Sequence, residues 1–132
     1  MNLIKCAGGI VQNKNRVVLV QSHRYEYWGF PKGKIRKNET ALQAAQREIY
    51  EETGLQKLHL VKKLGSYTRP TNSKNAIKKI TLFSFYAEEN KVQPLRKKKN
   101  DDVRNAKFFS FSQVPKKLGW QEDKDFFLKI KL

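Results

Sequence analysis

The chain has 132 residues, and 28 lysines and arginines against 12 aspartates and glutamates give it a formal net charge of +16. A chain of this length buries about two-thirds of the surface its unfolded form exposes, so one domain over residues 1–132 can fold without a disulfide or metal staple. The single cysteine, Cys6, excludes an internal disulfide and a stapled secreted domain, and it points to a reducing compartment, the cytoplasm. No apolar run approaches the roughly 18 residues that span a bilayer. Residues Met1–Lys5 also lack the apolar centre of a signal peptide, so no membrane partner is expected. The charge attracts anions without choosing among them.

In chain order, an apolar stretch from Leu3 to Val11, polar Gln12–Asn15 and the run Val17–Val20 read as a hairpin of two strands rich in β-branched residues. Residues 21–38 read as a loop holding Tyr25, Tyr27, Trp28 and a Gly29-Phe30-Pro31 break. Ala41, Leu42, Ala45 and Ile49 then recur at helical spacing, which gives a helix over about Thr40–Thr53, with Gly54 in place for a left-handed C-terminal cap. Leu58, Leu60 and Leu64 lead a strand to Tyr67, a polar loop follows over Thr68–Asn75, and Ile80–Tyr86 is the clearest strand of the second half. Another polar loop holds Arg96–Lys99 and Asp101-Asp102, a last strand runs over Ala106–Phe111, and Phe126, Phe127 and Ile130 line a short C-terminal helix. This order is mixed α/β without the alternation of a doubly wound sheet.

The helix carries the chemistry. Glu48, Glu51 and Glu52 lie three and four residues apart, so three carboxylates crowd one face. Like charges at that spacing disfavour the helix by a few tenths of a kcal/mol each, a cost that hard divalent cations among the oxygens would remove. Arg47 carries a rigid fork suited to orienting a carboxylate. The bland alternative for such a cluster is a solvated acidic face. Around it, however, residues 33–55 fit Gly-x5-Glu-x7-Arg-Glu-U-x-Glu-Glu-x-Gly-U, with U apolar, at every position: Gly33, Glu39, Arg47, Glu48, Ile49, Glu51, Glu52, Gly54 and Leu55.

This stretch is similar to the Nudix box, and the chain resembles the Nudix hydrolase family. The resemblance implies an α/β Nudix fold, an α/β/α sandwich with a mixed β-sheet, whose loop-helix-loop binds Mg2+, with Mn2+ as the substitute ion. It implies hydrolysis of a nucleoside diphosphate linked to another group. Carried over, Glu48, Glu51 and Glu52 become metal ligands, the Gly33 carbonyl a further one, and Arg47 and Glu39 supporting residues. Glu48 is a candidate general base. Asp102, in the loop before the last strand where many members carry a Glu, is a second, and being one methylene shorter it would reach a metal through water.

Ala7–Ile10, Tyr27–Lys34 and Val103–Phe109 look most like the bacterial diadenosine tetraphosphate hydrolases. That resemblance implies asymmetric hydrolysis of diadenosine tetraphosphate to ATP and AMP, with Lys32 and Lys34 facing the phosphates; Tyr25 and Tyr27, in the loop before the box, are candidates to stack on a base, and Tyr67 is a candidate substrate contact. In the window where such enzymes often carry a Tyr, this chain has Thr71-Asn72-Ser73, and Tyr67 is the nearest aromatic. Trp28–Ile35 is also very like mRNA decapping enzymes, so RNA 5'-end hydrolysis is the alternative, with a diphosphoinositol polyphosphate hydrolase third. A nucleic-acid-binding module on a Nudix scaffold is the non-enzymatic alternative, disfavoured by the intact carboxylates. The partner is then a nucleotide polyphosphate, with RNA as the competitor, for a monomer or dimer.

Remaining residues read plainly. Trp28, Phe30 and Phe83 belong to the core, Cys6 is buried and inert, His23 and His59 have no partner motif, and pairs such as Lys62-Lys63 and Lys78-Lys79 are solvated surface. Within residues 33–55, Lys34, Arg36, Lys37 and Arg47 balance Glu39, Glu48, Glu51 and Glu52, so the whole net charge lies outside the box. The basic frame is suited to steering a polyanion toward a carboxylate cluster.

Overall fold

Three segments of this chain are apolar at nearly every position rather than at alternate ones, a pattern that suits strands covered on both faces. A computed structural model describes residues 2–95 and 103–132 and places those segments at the centre of a mixed sheet. The strands are β1 (Asn2–Asn13), β2 (Arg16–Ser22), β3 (Trp28–Gly29), β4 (Lys32–Lys34), β5 (Leu58–Pro70), β6 (Ala76–Ala87) and β7 (Val103–Ser110). The helices are α1 (Ala41–Thr53), α2 (Val114–Lys117) and α3 (Gln121–Lys129).

Alternate side chains of the central strands go to opposite faces. Cys6 and Ile10 of β1, Val17 and Leu19 of β2, and Ile80 and Leu82 of β6 pack toward Val114, Leu118 and Phe126 of the α2–α3 segment. Their neighbours Ala7, Val11, Val18, Phe83 and Phe85 pack under Ala44, Ala45 and Ile49 of α1. The result is the expected α/β/α sandwich. Phe30 and Phe83 are core, as expected, and Cys6 is buried and free, with its thiol pushed up by burial.

The pairing of β1 creates the site. β1 runs parallel to β6 from Asn2 opposite Ala76 to Gln12 opposite Tyr86. Its hairpin with β2 is confined to two pairs, Gln12 with Val17 and Asn13 with Arg16, around a turn in which Lys14 has φ 56°. The two strands then splay. β2 turns to pair with β3 and β7, and β4 takes the vacated edge of β1, with Cys6, Ala7 and Gly8 opposite Lys34, Gly33 and Lys32.

Four expectations change. The segment 21–38 is not all loop, because it contains β3 and β4, which at two and three residues are too short to leave a periodicity. β5 does not stop at Tyr67: Thr68, Arg69 and Pro70 continue the ladder against Lys79, Lys78 and Ile77. An edge strand tolerates polar side chains and a terminal proline that a central strand does not, so its polar composition mimics a loop. β7 begins at Val103 rather than Ala106, and Ile130 caps α3 instead of lying within it. Among the described residues, no helix is long and apolar enough to cross a membrane.

Candidate active site

α1 is fixed at both ends by its own sequence. Thr40 Oγ1 accepts from the Gln43 N–H at 3.1 Å while Gln43 Oε1 accepts from the Thr40 N–H at 2.9 Å, a reciprocal cap that satisfies two otherwise orphaned donors. Gly54, at φ 78°, closes the other end in the left-handed conformation that glycine adopts without strain. With Ala44, Ala45 and Ile49 against the sheet, Glu48 and Glu52 fall at the margin of the buried stripe and are only 9% and 8% exposed. An acidic helix face of this kind is not solvated. Buried carboxylates need compensating partners, and Arg47 of the same helix and the backbone of β4 provide them.

Arg47 is the hub. Its Nε and Nη2 donate to Glu39 Oε2 and Oε1 at 2.6 and 2.9 Å, a bidentate fork, and Nη2 also donates to the Lys34 carbonyl at 3.0 Å. Its Nη1 donates to Glu48 Oε1 at 2.6 Å and Glu51 Oε1 at 3.1 Å. One guanidinium thus ties residues 34–39 to Glu48 and Glu51 of the helix. The Arg47 fork and the Arg36 N–H hold the Glu39 carboxyl down at about 2, and the hydrogen bonds to Glu39 and Glu48 push Arg47 up. Glu52 Oε1 accepts from the Lys32 N–H at 3.2 Å, which joins the last carboxylate to β4.

Gly33 has no room for a side chain. A Cβ at this position would stand 2.2 Å from Glu48 Cδ and 2.4 Å from both its oxygens, so only glycine lets the strand lie against that carboxylate. The donors gathered here are hard oxygens with little access to water: two buried carboxylates, the partly exposed Glu51, and the backbone of residues 33–34. Such a set fits Mg2+ or Mn2+ rather than a soft metal. As the side chains stand, no three His, Cys, Asp or Glu groups among the described residues already form a cage, since Arg47 draws Glu48 and Glu51 to itself.

Beside Glu52 lies a cavity of about 270 Å³. Lys32 and Lys78 line it with Glu52, and Tyr25, Tyr27 and Trp120 form an aromatic wall. The two tyrosines stack at 4.8 Å, Tyr27 meets Trp120 edge-on at 6.5 Å, and the Tyr27 ring lies on Gly119, where a Cβ would come within 2.1 Å of it. Enclosure by these walls, together with nearby Arg69, holds the Lys32 ammonium below the usual lysine range.

The structure gathers Lys32 and Tyr27 into this cavity with Glu52, while Glu48, Glu51, Arg47 and Gly33 form the adjoining carboxylate cluster. Lys34 is exposed and contributes its carbonyl to Arg47. Tyr67 stacks on Phe126 at 4.6 Å, and its hydroxyl donates to Asp123 Oδ1 at 2.5 Å. Asp102 and Lys97–Lys99 lie outside the described residues. Sequence reasoning missed Arg69, Trp120 and Asp123 and took Lys78 for solvated surface, yet all four line the cavity. The only signal was a tryptophan opening the C-terminal helix.

The NUDIX domain family matches residues 3–130. An RNA pyrophosphohydrolase of Bartonella bacilliformis is 42% identical over 53 residues, 37% of this chain and 31% of that protein. The m7GpppN-mRNA hydrolase dcap-2 of Caenorhabditis elegans is 32% identical over 103 residues, 76% of this chain and 12% of that protein. The chain thus spans under a third of the length of these curated relatives. Among solved structures, a MutT NUDIX hydrolase of Burkholderia pseudomallei superposes with a TM-score of 0.76 at 18% identity, covering 99% of this chain and all of the other. A C. elegans Ap4A hydrolase binary complex gives 0.74 at 23% identity over 96% of this chain and 93% of the other. The match over nearly the whole chain, the shared fold and the Gly33–Leu55 loop-helix-loop lead to one conclusion: this chain belongs to the NUDIX domain family.

Proposed function

We propose that the protein is a divalent-metal-dependent pyrophosphohydrolase of nucleoside polyphosphates, and that it cleaves diadenosine tetraphosphate asymmetrically to ATP and AMP. The observation that carries this reading is the continuity of the cavity. Glu52 and Lys32 line the same cavity as Tyr27 and Trp120, so a phosphate chain and a base fit one site. Likeness in fold to an Ap4A hydrolase and the Tyr27–Lys34 segment support it.

Glu48, Glu51 and Glu52, with the Gly33 carbonyl, would hold the ion, which when bound supplies Lewis acidity to the phosphoryl oxygens and to water. The chain's own residues do the rest. Arg47 keeps the carboxylates in place, Lys32 faces the polyphosphate as a point charge, and the aromatic wall fixes the nucleoside. A water oxygen adds to phosphorus, the anhydride P–O bond breaks, the leaving phosphate takes the electron pair, and Glu48, as the base, takes the proton of the water.

Incubation with diadenosine tetraphosphate and Mg2+ should give ATP and AMP in equal amounts by ion-exchange chromatography, and chelation should stop the reaction until Mg2+ is restored. Two ADP, or no turnover at any Mg2+ concentration, would exclude this substrate. The second reading, hydrolysis at an RNA 5' end, is favoured by the sequence likeness to an RNA pyrophosphohydrolase and an mRNA hydrolase. Parallel turnover of capped and triphosphorylated RNA separates the two.

A further inference from the structure

At the back of the cavity two charged side chains are buried with hydrogen bonds unmade. Asp123 is fully buried near the start of α3, and Arg69, near the end of β5, is 7% exposed. Both line the cavity. The Tyr67 hydroxyl occupies Asp123 Oδ1, leaving Oδ2 buried and without a hydrogen-bonding partner among the described residues. Arg69 Nε is in the same condition: at 3.6 Å from Asp123 Oδ1 it is too far for a hydrogen bond. Buried polar groups are nearly always paired, and an orphaned acceptor beside an orphaned donor in one pocket points to a ligand that pairs both. The Arg69 guanidinium lies 4.5 Å over the Trp120 ring, so it stands against the aromatic wall, with Asp123 beside it.

We propose that Asp123 and Arg69 read the hydrogen-bonding edge of a purine base. Asp123 Oδ2 accepts an N–H of the base, and Arg69 Nε donates to the neighbouring ring nitrogen or carbonyl. Adenine offers N6–H beside N1, and guanine offers N1–H beside O6, so the same pair accepts either. The rings of Tyr27 and Trp120 provide the flat apolar contact that a two-ring base fills best. Tyr67 is then a positioning residue: by occupying Oδ1 it fixes which oxygen faces the base. The proposal rests on the reading of this cavity as a nucleotide site, but it does not require that diadenosine tetraphosphate be the substrate.

The test is equilibrium binding in the presence of a chelator, read by tryptophan fluorescence with ATP, GTP, purine riboside triphosphate and tripolyphosphate as probes. Purine riboside lacks the N–H that Asp123 would accept. ATP or GTP should bind at least tenfold more tightly than purine riboside triphosphate, and whichever binds better identifies the base. In Asp123→Ala that ratio should fall below threefold, and in Tyr67→Phe it should fall partway, with melting curves confirming that both variants fold. The wild-type comparison of probes decides the matter even if a variant does not fold. Equal or undetectable affinities would overturn the proposal and leave Arg69–Asp123 as an ion pair tying β5 to α3. Base discrimination without turnover of any polyphosphate would refute the proposed reaction alone, and turnover without discrimination would refute only the base reading.

Discussion

The carboxylate cluster and the aromatic cavity share Glu52 but are built in opposite ways. The cluster comes from one contiguous stretch, residues 33–55, whose internal bonds run from Arg47 to Glu39, Glu48, Glu51 and the Lys34 carbonyl. The cavity is assembled from residues of several strands, the loops between them and the start of α3. The first is a locally wired device for holding charge. The second is a tertiary surface, free to differ in what it admits. Reaction chemistry and substrate choice are thereby separated, and variants in the two regions should fail differently.

The largest effect is expected in the cluster. Glu52→Gln removes a buried carboxylate charge at the point where both regions meet, and turnover should fall on the order of a hundredfold or more, the scale for losing one group that stabilises developing charge. The circular dichroism spectrum should stay native, and near-normal turnover would dismantle the assignment. Arg47→Lys keeps the charge but loses the fork to Glu39, and should lower turnover by about tenfold to a hundredfold, as the loss of supporting contacts typically does. It should also lower the melting temperature, which Glu52→Gln should affect less.

A cavity variant should move binding and spare the chemical step. Trp120→Ala is expected to raise KM by about tenfold, consistent with about 1–3 kcal/mol for a base–aromatic stack, with kcat little changed. A fall in kcat of the Glu52→Gln size would erase the distinction between the regions.

The smallest effect concerns stability. Glu39 titrates at about 2 in the folded chain against 4.5 for a free glutamate, because of the Arg47 fork. Its stabilisation is therefore fully present above about pH 4.5 and is lost as the pH falls toward 2. The melting temperature of Glu39→Gln should lie below wild type by a constant margin near neutrality, and that margin should vanish in acid. A margin unchanged down to pH 2 would show that the fork contributes no charge-dependent stability.

What could be read from the sequence follows how local each feature is. Helical spacing, Gly54 and the glutamate triplet are relations within a few residues, so α1 and the cluster were legible. The central strands were legible because burial on both faces leaves unbroken apolar runs. β5 beyond Tyr67 was not, since an exposed edge strand carries polar side chains like those of a loop, and β3 and β4 were too short to show a period. Nor could sequence order announce that Glu48 and Glu52 are buried, because exposure depends on β4 folding back over the helix.

The sequence by itself determined the charge-holding segment, its C-terminal cap and its family, because those rest on spacing along one chain segment. Only the tertiary structure decided that Arg69, Lys78, Trp120 and Asp123 share a cavity with Lys32 and Glu52. The reason is geometric. Arg69 and Asp123 are 54 positions apart, and they meet because β5 crosses the sheet edge under α3, leaving two buried charges one hydrogen bond short of satisfaction.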